Sequence, residues 1–136
     1  MKWLTFCLLT IFSAPTWAVN AASEVLNTGD EALNVQLIKL NQQQQKNIKH
    51  FAANIAREYM LPAYDIDNMI ANYKFTPADI FLAAAIADLT GQPVNVVSRA
   101  FMEHKKGWRF TLKQLNILSS PKQLKQLHRD AGSFIK

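Results

Sequence analysis

The chain of 136 residues has one cysteine, four glycines and five prolines, and each scarcity removes a class of protein. A lone thiol, Cys7, allows no disulfide framework and no cysteine-only zinc or iron–sulfur centre. So few glycines leave no phosphate-cradling loop, and neither an HExxH nor a GxSxG pattern occurs. The three histidines, His50, His104 and His128, form no two-histidine cluster at metal-binding spacing. Asp65 and Asp67 in YDIDN have the first spacing of a calcium loop, but its sixth-position glycine and closing glutamate are absent, so they read as helix-start carboxylates. No catalytic, cofactor-binding or metal-ligating residue is assigned on these grounds, and a hydrolase would need a site assembled wholly from distant residues.

What is present begins with a leader. Lys2 gives a positive start, WLTFCLLTIF (residues 3 to 12) is an apolar run, and Thr16 and Ala18 occupy the small-residue positions a signal peptidase reads. Residues 1–18 are therefore expected to be a cleaved signal peptide, with cuts after Ala21 or Ala22 as alternatives. Ten helical residues span about 15 Å, half a bilayer core, so an uncleaved anchor is the lesser reading. Cys7 leaves with the signal. The mature chain then has no thiol, residues 19–29 are expected to be flexible, and residues 30–136 to form one domain.

Acidic residues are scarce in the last third. Residues 19–98 carry five Lys/Arg against eight Asp/Glu, whereas residues 99–136 carry nine against two. Such a basic block suits a polyanion, an acidic protein or an anionic surface as partner, or a solvated face with no partner.

Helical patterning dominates. Over Glu31 to Leu40 the apolar positions fit either a strand or a helix, and a Thr28/Glu31 capping box favours helix. Ile48, Phe51, Ala52, Ile55 and Tyr59 recur at three- and four-residue steps, which predicts a helix over 42–60 capped by Asn41, with the four glutamines as its exposed first turn, ending before Pro62. A short helix over 65–73 follows. Thr76, Pro77 and Asp79 then mark a helix start and Gly91 a stop. Between them Ile80, Phe81, Leu82, Ile86 and Leu89 surround the helix, and Ala83 to Ala85 keep it slender. Too short to span a bilayer, it is expected at the centre of the bundle.

After Pro93, Val94, Val97, Ala100, Phe101 and His104 share a face, and His104 is expected to be a packed or hydrogen-bonded side chain. In HKKGWRF (residues 104 to 110) Gly107 suits a helix stop, Lys105 and Lys106 suit the negative helix end, and Trp108 is expected to pack across the junction. Residues 78–117, ADIFLAAAIADLTGQPVNVVSRAFMEHKKGWRFTLKQLNI, resemble a pattern found in small exported bacterial helical proteins with no assigned activity. The resemblance implies an all-helical fold and nothing catalytic.

Ser120 caps and Pro121 opens the last helix. Leu124, Leu127, Ala131 and Phe134 fall on one side and Lys122, Lys125 and Arg129 on the other, while His128 sits on the flank with no evident partner. The fold class expected is all-α, a small orthogonal bundle of about five helices after a cleaved signal peptide. Functionally the pattern points to an exported, periplasmic or secreted, binding or structural protein. Its partner is expected to be an anionic envelope component or acidic protein, bound through Lys122, Lys125 and Arg129. The alternative is a helix-turn-helix over residues 111–132 reading DNA with the same three cations.

Overall fold

The computed structural model describes residues 26–136; the expected signal peptide and Cys7 lie outside the described residues. Seven α-helices follow in order: α1 (Glu31–Gln44), α2 (Ile48–Glu58), α3 (Ala63–Ala71), α4 (Pro77–Thr90), α5 (Val94–His104), α6 (Gly107–Gln114) and α7 (Pro121–Ser133), with a 3₁₀ turn at Gln45–Asn47. No strand occurs among the described residues. The all-α small bundle expected from the sequence is what forms, with shorter and more numerous helices than five.

α4 is the hub. Apart from Asp79 its residues from Pro77 to Ala87 are apolar all round, every position in that stretch is buried, and α1, α2, α5 and α7 all pack against it. Ala83, Ala84 and Ala85 are wholly excluded from solvent, because methyl-sized side chains let the neighbouring helices come close. Thr76 accepts from the Asp79 amide while the Asp79 carboxylate accepts from the Thr76 amide, a reciprocal cap. Gly91 ends the helix at φ 67°, where a glycine has no Cβ to strain.

The α1 region resolves the helix-or-strand ambiguity as helix. Leu33, Leu37 and Leu40 form its buried stripe, each contributing roughly 1.5–3 kcal/mol of apolar burial. Its cap is Asp30, whose side chain accepts from the Leu33 amide at 2.8 Å, in place of the Thr28/Glu31 box. Thr28 is instead fully buried and bonds Asn34 through both its amide and its hydroxyl. Of the stretch expected to be flexible, residues 26–29 are described and fastened: the Arg109 amide donates to the Asn27 carbonyl at 2.9 Å, and Leu26 packs on the core.

The helix expected over 42–60 is a correction. α1 continues through the glutamines to Gln44, the 3₁₀ turn redirects the chain, and α2 begins at Ile48. Asn41 lies inside α1 and caps a different helix, its Oδ1 accepting from the Ala78 amide of α4 at 2.8 Å. Alanine at position 41 would leave that buried N–H unpaired at about 1–3 kcal/mol, offset by about half a kcal/mol of helix propensity. Asn41→Ala is thus expected to lose about 1–2 kcal/mol in urea unfolding, and a stability at or above wild type would contradict the cap.

The α5 stop also differs. Lys105, at φ 51°, takes the left-handed position, and Gly107, at φ 76°, starts α6. Trp108 does cross the junction: it is fully buried, stacks on Phe101 at 4.0 Å between centroids, and donates its indole N–H to Asp79 Oδ1 at 2.8 Å.

Candidate functional site

The site is built on α7. Ser120 accepts from the Gln123 amide at the helix start, and Leu127 and Ala131 bury one face, seating the helix on α1 and α4. Lys122, Lys125 and Arg129 are exposed on the outer face. Steps of three and four residues align them in one stripe about 10 Å long. Among the described residues no carboxylate lies within ion-pair distance of any of the three; the carboxylate contact made by α7 is that of His128 Nε2 with Asp30 Oδ1 at 3.0 Å.

His128 therefore has partners that its sequence neighbourhood does not suggest. Nδ1 lies 2.9 Å from Gln36 Oε1, and Gln36 Nε2 donates back to the His128 carbonyl at 3.2 Å. Both contacts span 92 positions of the chain, which no local pattern encodes. They clamp the ridge-bearing helix to α1, so the three cations project from a fixed support.

Beside the first turns of α7 lies a groove of about 710 Å³, lined by Leu89 at the end of α4, Asn116, Ser119 and Ser120 in the connection, and Lys122, Gln123 and Gln126. Asn116 holds a left-handed backbone at φ 59°, and its carbonyl accepts from the Ser119 hydroxyl at 3.1 Å. Gln126 donates to Asp130 at 2.7 Å. Among the described residues the side-chain amides of Asn116 and Gln123 take no hydrogen-bond partner. Lys122 belongs both to the groove and to the stripe, which joins a neutral hydrogen-bonding wall to a line of positive charge. The sequence singles out the three cations by helical phase; the groove's amides come from separate segments and carry no spacing signal.

Two other concavities are chemically different. Between α2 and α3 a groove of about 550 Å³ is lined mostly by Ala53, Ala56, Ala63, Ile66 and Ile70. Near the C-terminus a pocket of about 250 Å³ gathers Glu58, Asp88 and Asp130 around Tyr59. Burial, then the Asp130, Asp88 and Glu58 carboxylates, push the Tyr59 phenol well above its ordinary range, so it stays a neutral donor. No group of three or more His, Cys, Asp or Glu is placed to hold a metal ion among the described residues. Asp65 sits in the first turn of α3, as a helix-start carboxylate should.

His104 is exposed and packs its ring on Phe110 at 5.2 Å, while Lys106 Nζ lies 4.7 Å from the same ring. The HKKGWRF segment thus turns a corner and closes it with a cation on an aromatic face. Helices α6 and α7, the expected helix-turn-helix pair, are joined by residues 115–120. No described helix is long and apolar enough to cross a membrane. No protein-family model, curated protein or solved structure matches the chain.

Proposed function

We propose that the protein is an exported helical binding module, without catalysis of its own, that engages an anionic partner through Lys122, Lys125 and Arg129. The observation that carries this reading is the aligned, solvent-facing stripe on α7 with no ion pair to a carboxylate among the described residues. It sits in a third of the chain with nine Lys/Arg against two Asp/Glu. Cations whose role is to support a fold are commonly paired or placed at helix ends; these three are spread along a helix whose seating is secured by Leu127, Ala131 and the His128 clamp. Export is supported by the pattern of residues 1–18, and the resemblance over residues 78–117 agrees with it.

The test is retention of the exported product on immobilised polyanions. Neutralising three contacts with K122Q/K125Q/R129Q is expected to reduce the slope of log affinity against log salt by about two to three, with an unchanged helical circular-dichroism spectrum. Equal retention of wild type and triple variant would remove the ridge from the reading. Mass spectrometry of the same product should find a chain starting near Val19; recovery of Met1 or Cys7 would remove export.

A further inference from the structure

We propose that the groove beside α7 and the stripe that runs from it form one binding site for an acidic polysaccharide, a chain of sugar rings bearing carboxylates. This rests on the preceding reading of the stripe and commits it to one class of polyanion.

The choice follows from what surrounds the cations. Among the described residues the exposed large apolar side chains are Val35, Ile38, Met60, Tyr64 and Val96, none of them on α7 or lining the groove. A membrane surface held by a helix needs apolar side chains sunk beneath the headgroups as well as charge, and α7 has no exposed large apolar side chain. A protein partner is anchored mainly by aromatic side chains with arginine in desolvated pockets at the centre of the interface, and a single-stranded nucleic acid by exposed aromatic platforms; the stripe carries one arginine, Arg129, and no aromatic side chain. Trp108 is spent in the core, and Phe101, Phe110 and Phe134 are half-buried.

The groove supplies the complementary chemistry. Asn and Gln amides present a donor and an acceptor side by side, and a sugar hydroxyl is both at once. Asn116 and Gln123 provide two such amides, Ser119 and Ser120 add hydroxyls, and Leu89 gives a small apolar surface for a ring's C–H face. Lys122 at the groove's edge receives the carboxylate of the ring held there, and Lys125 and Arg129 meet those farther along.

Titration calorimetry of the mature protein with oligogalacturonate, polyglutamate and a neutral maltooligosaccharide separates the groove from the stripe. Two variants are compared with wild type: N116G/Q123A, in which glycine suits the left-handed backbone at 116, and K122Q/K125Q/R129Q. Oligogalacturonate is expected to bind more tightly than polyglutamate, to lose at least about tenfold in N116G/Q123A while polyglutamate is unaffected, and to be lost in the triple variant. Equal binding of oligogalacturonate by wild type and N116G/Q123A, or tighter binding of polyglutamate, overturns the glycan assignment and leaves the stripe standing. Failure of every polyanion to bind overturns both, and binding of the neutral sugar as tightly as the acidic one overturns the role given to Lys122.

Discussion

Trp108→Ala is expected to destabilise the fold by about 3–5 kcal/mol, a large part of the 5–15 kcal/mol typical of a domain. The indole is fully buried. It stacks on Phe101 of α5 with planes 11° apart and meets Phe75, in the connection before α4, edge-on at 6.4 Å, so truncation opens a cavity between two buried or half-buried rings. It also leaves Asp79 Oδ1 without its donor. Urea unfolding followed by circular dichroism measures the loss. Trp108→Phe keeps one stacking ring but removes the N–H together with the rest of the indole bicycle, so a loss of about 1–3 kcal/mol, smaller than that of the alanine variant, is expected. A loss below about 1 kcal/mol for the alanine variant would mean that the indole is not the keystone of the α5–α6 corner.

Asp79→Ala should be comparably severe, at about 3–5 kcal/mol. Its Oδ2 accepts from both the amide and the hydroxyl of Thr76 at 3.0 Å, and its Oδ1 from Trp108 at 2.8 Å. Hydrogen bonds to a carboxylate contribute about 1.5–3 kcal/mol each, and the helix cap alone about 1 kcal/mol. With Asp79 only 5% exposed, water cannot replace the lost acceptor for the Trp108 N–H. Because the two residues share one bond, D79A and W108F should be non-additive: the double variant is expected to be about 1–2 kcal/mol more stable than the sum of the single losses predicts. Strict additivity would deny the bond.

The two ends of α4 were legible in sequence because each is written locally: Thr76, Pro77 and Asp79 within four residues, and Gly91 after the last buried turn. The same held for the opening of α7 at Ser120 and Pro121. The break between α1 and α2 was not legible, since residues 45–47 contain neither proline nor glycine. Their 3₁₀ turn arises because the Leu33/Leu37/Leu40 stripe and the Ile48/Phe51/Ile55 stripe must each reach the core from different directions. Asn41 looked like a cap and is one, but its target lies 37 residues away. The α5 stop carries no sequence signal, because Lys105 adopts the left-handed backbone that glycine ordinarily supplies. For the candidate site, helical phase alone lined up Lys122, Lys125 and Arg129. The neighbouring groove required α4 to bring Leu89 to the connection that carries Asn116, and tertiary proximity of that kind leaves no trace in spacing.

The first turn of α4 receives Asn41 from upstream and Trp108 from downstream. The middle of the polypeptide is thus secured by its two flanks, which reach it from opposite directions along the chain. No contiguous stretch holds all the partners of that turn, so its polar groups are satisfied only when both flanks are in place.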